Sequence, residues 1–190
     1  MIILYTEFKF NRVQILSFKY GPVELTNDLK REDAPVIAKN ANDYGIYRNI
    51  GGHSFPFTYT ESDALNFIEK TRESGKEVFS IDFKILYEGT FTGVIGLSDI
   101  DTVNRGAHVG YWISKDLRNR GIATIALSLI CDYSRDNLGL NRLYTKVLEY
   151  NPASLKVLIK NGFAIEGYQR DSYIFEGKPY SEFLLGKILH

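Results

Sequence analysis

The stretch YWISKDLRNRGIATIAL, residues 111–127, joins an apolar strand to an amphipathic helix through a turn with two arginines and a glycine. Beyond the turn, apolar residues recur every three or four positions, which is the spacing of one buried helical face. They are Ile122, Ile125, Ala126, Leu129, Ile130 and Tyr133. The sequence therefore predicts a strand over 107–114 and a helix that begins near Arg120 or Gly121.

The turn before this helix has the composition of an anion site. A helix start carries free N–H groups and the positive end of the helix dipole, and Gly121 lets the backbone approach a ligand without a Cβ. Arg118 and Arg120 add positive charge, and Ala123 keeps the surface low. These features suit a pyrophosphate. A solvated turn is the alternative, and the turn alone does not decide between the two.

Two better-known phosphate-binding patterns are absent from the sequence. Neither G-x-x-x-x-G-K-[ST] nor a G-x-G-x-x-G that follows a strand occurs. Their absence disfavours a kinase, a P-loop NTPase and a Rossmann dinucleotide-binding enzyme.

The remaining pattern predicts one mixed α/β (α+β) domain over residues 1–190. Strands are expected over 22–29, 77–85, 93–100, 107–114 and 142–149, helices over 31–43, 60–75 and 151–163, and a strand hairpin within 163–189. Strands 93–100 and 107–114 are expected to form an antiparallel pair, and 51–57 a loop. Residues 1–21 form an N-terminal extension without an assigned role. One or two irregular strands are expected in 1–20, where an added strand or a homodimer contact is compatible with the pattern.

Composition excludes several classes of function. Lys+Arg and Asp+Glu are 23 each among 190 residues, so the net charge is zero, which argues against a nucleic-acid binder. No apolar run approaches the roughly 20 residues needed to span a bilayer. Cys131 is the single cysteine, which suits a cytoplasmic location. His53, His108 and His190 are scattered, and no metal-ligand motif occurs, so no metal is expected.

Several segments resemble one family at matching distances. RNRGIA (118–123) resembles the [Q/R]-x-x-G-x-[G/A] loop of the GNAT acyltransferases. VGYWISKDLRNRGIAT (109–124) and NPASLKVLIKNGF (151–163) are similar to segments of the branch that contains the RimJ- and RimL-like ribosomal-protein N-terminal acetyltransferases. The likeness covers roughly residues 22–189 and implies a single GNAT-like domain, in which two parallel strands of a mixed sheet splay apart between flanking helices.

The resemblance implies that acetyl-CoA is the cosubstrate. It would bind between strands 107–114 and 142–149, with pantetheine along the backbone of Tyr111, Trp112 and Ile113. Its pyrophosphate would meet the loop and helix start formed by Arg118, Asn119, Arg120, Gly121, Ile122, Ala123 and Thr124. Asn151 and Ser154 would complete the cofactor site.

The acid that protonates the departing thiolate is expected to be Ser154. The local alternative is that Asn151 and Ser154 only cap a helix, with the Asn151 side chain accepting the Ser154 N–H. Many members of the superfamily have a tyrosine acid four residues further on, where this chain has Leu158. That departure leaves Ser154, a water or another tyrosine for the role.

The general base has three candidates. His108 stands where the family branch often has a carboxylate, and histidine, with a pKa of about 6.5, is a competent base near neutral pH. Asp99 and a chain of waters are the alternatives, and an ordinary strand histidine or turn-capping aspartate is equally compatible with the pattern. An α-amine, with a pKa of about 7.7–8.0 against about 10.4 for lysine, needs the least help.

The resemblance implies direct acetyl transfer to a primary amine, with a protein N-terminal α-amine as the leading acceptor. A small amine (a polyamine, an amino acid or an antibiotic) is the second possibility. An acyl-CoA-binding sensor without turnover is the third. Phe55 and Phe57 are expected to line the acceptor cleft. Direct transfer needs no enzyme nucleophile, so Cys131 is expected to be a buried structural thiol.

Overall fold

The computed structural model describes residues 15–50, 55–73 and 80–190. Its strands are β1 (Ser17–Tyr20), β2 (Val23–Thr26), β3 (Ile81–Tyr87), β4 (Thr90–Asp101), β5 (Gly106–Ile113), β6 (Arg142–Leu148), β7 (Ala164–Phe175) and β8 (Lys178–Ile188). Its helices are α1 (Ala34–Ala41), α2 (Tyr44–Ile50), α3 (Glu61–Glu73), α4 (Ile122–Asp136) and α5 (Pro152–Lys160). None of the described helices combines the length and apolar character that a membrane crossing requires.

The strands form one eight-stranded sheet in the order β1-β2-β3-β4-β5-β6-β8-β7. Every neighbouring pair is antiparallel except β5 and β6, which are parallel. The pairing of β5 with β6 runs only from Gly106 opposite Arg142 to His108 opposite Tyr144. Beyond that point the two strands separate, which confirms the predicted parallel strands that splay apart in a mixed sheet.

Helices cover both faces of the sheet. On one face α4 buries Ile122, Ala126 and Ile130 in the larger apolar cluster, which also contains Ile95 of β4. The neighbouring Val94 belongs to the second cluster, beneath α1 and α3. Because successive residues of a strand point to opposite faces, the two clusters lie on opposite sides of the sheet. The sheet therefore holds the ends of β5 and β6 in a fixed frame.

Helix α4 begins as the periodicity predicted. Gly121 precedes it with φ +77°, in the left-handed region that favours glycine. Cys131 is buried on this helix, and burial raises the pKa of its thiol. The prediction of a buried thiol is therefore confirmed, and the protonated form is a poor nucleophile.

The helix predicted over 31–43 is divided in two. A 3₁₀ turn spans Arg31–Asp33, and α1 follows with Pro35 in its first turn, where the missing N–H is not needed. Helix α2 was not predicted, because its seven residues bury only Ile46 and form no periodic pattern. The parts of the sequence predictions that fall on residues 1–14, 51–54 and 74–79 lie outside the described residues.

Candidate active site

A cleft of about 1590 Å³ opens where β5 and β6 separate. Its first part, the α4 arm, is lined by residues 117–119, by residues 121–124 at the start of α4, and by α5 with Asn151 before it. Its second part, the α2 arm, is lined by α2, by Phe55, Pro56 and Tyr59, by α3 and by side chains of the sheet face beneath them. The two arms meet along β5, where residues 108–113 line the cleft.

The start of α4 presents backbone N–H groups to the α4 arm. Gly121 offers no capping side chain, and the first turn contains no acidic residue, although carboxylates are favoured at helix starts. A Cβ on Gly121 would have no described atom within 4 Å. The positive φ, and not packing within the protein, therefore favours glycine here. The predicted anion site keeps its N–H groups and its open approach.

Arg118 is turned toward α2. Its Nη2 donates to Asp43 Oδ1 at 2.6 Å, and its Nε donates to the carbonyl oxygen of Ile113 at 3.0 Å. Asp43 Oδ1 also accepts the N–H of Ile46 at 3.0 Å, in the first turn of α2. Arg118 thus ties the loop before α4 to α2, a contact that the sequence did not predict. Arg120 is exposed and is not among the residues that line the cleft.

Ser154 combines a capping role with a second contact. Its backbone N–H donates to Asn151 Oδ1 at 3.1 Å, so the predicted N-cap is confirmed. Its Oγ lies 3.0 Å from the hydroxyl of Tyr111 on β5. Burial raises the pKa of Tyr111 to about 12, against the lowering effect of the Ser154 hydrogen bond. Leu158, at the position of the family's tyrosine acid, is buried in the core.

His108 lines the cleft at the last position of β5 that pairs with β6. Its Nδ1 lies 3.2 Å from Ser98 Oγ, and its Nε2 lies 3.4 Å from Thr145 Oγ1 on β6. Burial lowers the pKa of His108, with Lys146 lowering it further and the Asp99 charge acting in the opposite direction. The neutral imidazole, which can accept a proton, is therefore the dominant form at neutral pH.

Asp99 occupies a break in the register between β4 and β5. The regular pairing of these strands is interrupted between Ser98 and Asp101, and Asp99 has φ +50°. Its side chain is exposed at the mouth of the cleft. Because solvent screens an exposed carboxylate, the charge of Asp99 acts weakly on its surroundings. His108 is the more enclosed of the two side chains predicted as bases.

The two predicted acceptor-site aromatics have different positions. Phe55 lines the α2 arm and stacks on Tyr59, with ring centroids 4.6 Å apart. Phe57 is 54% exposed, is not among the lining residues, and stacks on Tyr47 of α2 at 5.3 Å. Tyr47 in turn contacts Phe175 at the end of β7 at 5.3 Å. Phe57 therefore supports α2 from outside the cleft.

Residues 27–164 match the family described as "Acetyltransferase (GNAT) domain". The chain belongs to this GNAT family.

Curated relatives of this GNAT chain include acetyltransferases with different acceptors in their names. The "Putative ribosomal N-acetyltransferase YdaF" of Bacillus subtilis (strain 168) is 34% identical over 120 residues, which is 63% of each protein. The "Ribosomal-protein-serine acetyltransferase" of Escherichia coli (strain K12) is 28% identical over 58% of this chain and 62% of that protein. The "Spermidine N(1)-acetyltransferase" of Escherichia coli (strain K12) is 30% identical over 50% of this chain and 52% of that protein. The chain thus spans less than two thirds of these relatives.

Solved structures share the fold over nearly the whole chain. The crystal structure of a probable acetyltransferase is 26% identical, with a TM-score of 0.77, and the match covers 91% of this chain and 97% of that one. RimL, a ribosomal L7/L12 alpha-N-protein acetyltransferase solved with coenzyme A, has a TM-score of 0.81 at 18% identity, covering 92% of this chain and 98% of that one. The second likeness supports the fold alone.

The two arms of this GNAT cleft differ in charge. The α4 arm is lined by Arg118, Lys156 and Lys160 and by no carboxylate among the described residues. The α2 arm is lined by four carboxylates and two lysines: Asp63, Asp82, Asp99, Glu182, Lys70 and Lys146. Anionic groups are thus favoured in the α4 arm and cationic groups in the α2 arm. No cluster of metal-ligating side chains occurs within 15–50, 55–73 and 80–190.

Sequence reasoning missed three side chains of this site. Tyr111 was predicted only for its backbone, although its hydroxyl contacts Ser154. Asp43 and Glu182 were not singled out, because each acts through a partner far along the chain or on another strand. These side chains come together only through the order of the strands in the sheet. The local sequence pattern does not indicate that order.

Proposed function

We propose that this GNAT chain transfers the acetyl group of acetyl-CoA directly to a primary amine, with a protein N-terminal α-amine as the acceptor. The separation of β5 from β6 carries the proposal, because it places an unpaired strand edge and the uncapped start of α4 in one cleft. The edge of β5 that faces β6 pairs with no strand around Tyr111 and suits the amide groups of pantetheine, whereas the carbonyl oxygen of Ile113 already accepts from Arg118. The N–H groups at residues 122–124 suit a pyrophosphate. The bound cosubstrate would supply an activated acetyl thioester.

Ser154 is the proposed acid. When the amine nitrogen bonds to the acetyl carbon and the carbon–sulfur bond breaks, the Ser154 hydroxyl gives its proton to the thiolate. Tyr111, 3.0 Å from Ser154 Oγ, can return a proton to the serine oxygen and regain one from solvent. Because burial keeps the Tyr111 hydroxyl protonated, Tyr111 can supply this proton throughout the neutral pH range. A backbone N–H of β5 would stabilise the oxyanion.

His108 is the proposed base. Burial lowers its pKa, so the ring is neutral and one nitrogen can accept the proton that the attacking amine loses. The ring contacts Ser98 at Nδ1 and Thr145 at Nε2, and the hydroxyl beside the unprotonated nitrogen can pass that proton to it. An α-amine is partly neutral at pH 7 and needs only this modest assistance.

A comparison of acceptors tests the proposed acceptor class. The rate of thiol release from acetyl-CoA is measured with peptides that begin with Ser, Ala or Met, and with the same peptides blocked at the N-terminus but carrying a free lysine. The proposal predicts turnover with the free N-terminus and little with the blocked peptide. Equal rates would contradict an α-amine acceptor. If acetyl-CoA binds but releases no thiol with any acceptor, the sensor interpretation is favoured.

A polyamine is the second candidate acceptor. The carboxylates of the α2 arm favour a substrate with more than one positive charge. Three of the curated relatives are named for spermidine. Spermidine is therefore added to the same acceptor panel, and a higher kcat/KM for spermidine than for every peptide would replace the first acceptor by the second.

A further inference from the structure

Glu182 is an unusual carboxylate because it lines the cleft and is nevertheless buried. It lies on β8, opposite Leu148 of β6, and only 9% of the residue is exposed. Burying a carboxylate costs free energy unless partners compensate for the lost water. The groups around Glu182 therefore show how far its charge is compensated within the protein and how much remains for a ligand.

The contacts of Glu182 use one of its two oxygens. Oε2 accepts the Ser172 hydroxyl at 2.9 Å and lies 3.6 Å from Lys146 Nζ. Lys146 is half-exposed and also donates to Gln169 at 3.2 Å, so its pairing with Glu182 is loose. Within the described part of the chain, Oε1 has no hydrogen-bond partner. The primary ammonium of Lys146 thus already lies beside this carboxylate, and Oε1 remains for a second ammonium group.

The other carboxylates of the α2 arm are less suited to this role. Asp63 accepts the N–H and the hydroxyl of Thr60, which caps α3. Asp82 is near the Thr71 hydroxyl, at 3.5 Å, and Asp99 is exposed and screened by water. Glu182 combines enclosure with an available oxygen.

The position of Glu182 separates it from the acetylated amine. Under the proposed function, that amine meets the thioester along β5, and β6 lies between β5 and β8. Two strand spacings amount to about 10 Å in a closed sheet, and the separation of β5 from β6 increases the distance. Glu182 therefore meets another part of the acceptor.

We propose that Glu182 binds a second positively charged group of the acceptor, at least about 10 Å from the amine that is acetylated. This inference rests on the proposed function and narrows its acceptor. The second cation can belong to a polyamine, or to a lysine side chain near the start of a peptide. Lys146 competes for the same carboxylate, so its charge weakens acceptor binding.

The test compares acceptors that differ only in the second charge. One pair is a linear diamine and the monoamine of the same chain length. The other is a peptide that begins Ser-Ala-Lys and its norleucine analogue. Kinetics are measured for the wild type, Glu182→Gln and Lys146→Met, with Glu166→Gln as the control. Glu166 is an ion-paired glutamate on β7 outside the cleft. Thermal unfolding and acetyl-CoA titration show that each variant is folded.

The wild type is expected to prefer the dicationic member of at least one pair, and the pair concerned identifies the source of the cation. Glu182→Gln should raise KM for that acceptor about tenfold, since a bond to a charged group is lost. It should leave the monocationic acceptor, kcat and acetyl-CoA affinity unchanged. Lys146→Met should lower the same KM, whereas a purely structural Lys146–Glu182 pair predicts the same effect from both variants.

Three results would overturn the inference: no preference in the wild type for either dicationic acceptor, an equal effect of Glu182→Gln on both members of a pair, or a higher KM in Lys146→Met. Acceptor binding is also measured by calorimetry without turnover, so the inference is judged even when no thiol is released. Failure of the wild type to bind acetyl-CoA would instead contradict the proposed function.

Discussion

Gly121 is the residue on which the proposed cofactor site depends most. Gly121→Ala should weaken acetyl-CoA binding about tenfold or more, because the new methyl group points into the space of the proposed pyrophosphate. The positive φ also costs about 1–2 kcal/mol of stability for any L-residue. Gly89→Ala is the matched control, since Gly89 has φ +78° and equally open surroundings in the turn between β3 and β4.

Calorimetric titration of acetyl-CoA and thermal unfolding separate the two effects. Both variants should lose similar stability, and only Gly121→Ala should lose affinity. Equal affinity in the two variants would remove the pyrophosphate from the start of α4.

The Ser154–Tyr111 pair predicts an effect on rate with little effect on binding. Ser154→Ala should lower kcat about 100-fold, a typical contribution of general acid catalysis, while acetyl-CoA affinity changes little. Tyr111→Phe should lower kcat about fivefold, because one hydrogen bond to Ser154 is lost. Steady-state kinetics with titrated acetyl-CoA measure both. A fully active Ser154→Ala would leave a water or another tyrosine as the acid.

His108 predicts a pH dependence whose sign follows from its burial. Because burial lowers the pKa of the folded-state imidazole, the neutral base persists below the ordinary value of about 6.5. The acid limb of kcat/KM should therefore fall at a pH below about 6.5, in addition to the limb of the acceptor amine near 8. His108→Ala should remove the lower limb and reduce the rate about 100-fold. The exposed His190→Ala should change neither, and a wild-type profile in His108→Ala would exclude His108 as the base.

The same pKa shift acts on folding. Between the lowered folded-state value and about 6.5, the unfolded chain binds more protons at this position than the folded chain. Stability should therefore decrease as the pH falls through this range, and His108→Ala should reduce that decrease.

Local contacts were predictable at this scale, and distant ones were not. The cap of α5 was predicted because Asn151, Pro152 and Ser154 lie within one turn of each other. The pairing of Arg118 with Asp43 joins residues 75 positions apart, and nothing in either segment indicates the partner. The sequence predicted Arg118 beside the pyrophosphate, whereas in the structure Arg118 pairs with the carboxylate of Asp43.

At the scale of elements, α2 depends on contacts from other parts of the fold. Asp43 caps its start and holds Arg118, while Tyr44 donates to Glu176 at 3.2 Å in the turn between β7 and β8. Asp43→Asn should cost about 1–2 kcal/mol of stability and raise the acceptor KM severalfold, with acetyl-CoA affinity preserved. Unfolding curves and acceptor kinetics measure these effects.

Glu69→Gln is the control for Asp43→Asn, because it breaks the exposed Arg31–Glu69 pair away from the cleft. A loss of acetyl-CoA affinity in Asp43→Asn, with an unchanged acceptor KM, would instead place Arg118 in the pyrophosphate site.

Elements with a long periodic pattern or a clear turn motif were predictable. Helix α4 has the helical period, and the hairpin of β7 and β8 surrounds the predicted turn at Glu176 and Gly177. Helix α2 was not predictable, because one buried residue, Ile46, sets no period. Helix α2 is stabilised by tertiary contacts, which local helix propensity does not indicate.

At the scale of the whole molecule, a net charge of zero conceals a polarised cleft. The composition disfavoured a nucleic-acid binder, but it could not show that the four carboxylates of the cleft all line one arm and none lines the other. The splayed strands were predicted only through the family resemblance, since strand order depends on long-range pairing. Once β5 and β6 separate, the start of α4, Ser154 and His108 all face one space.

The proposed reaction is direct acetyl transfer to an amine in this cleft. The most direct test mixes acetyl-CoA with each acceptor and quantifies released thiol and acetylated amine by mass spectrometry over the same time course. Direct transfer predicts equal amounts of the two products, no acetylated enzyme, and much slower formation of both products in Ser154→Ala. Thiol release without an acetylated amine, or an acetylated enzyme that forms and then decays as product appears, would contradict it.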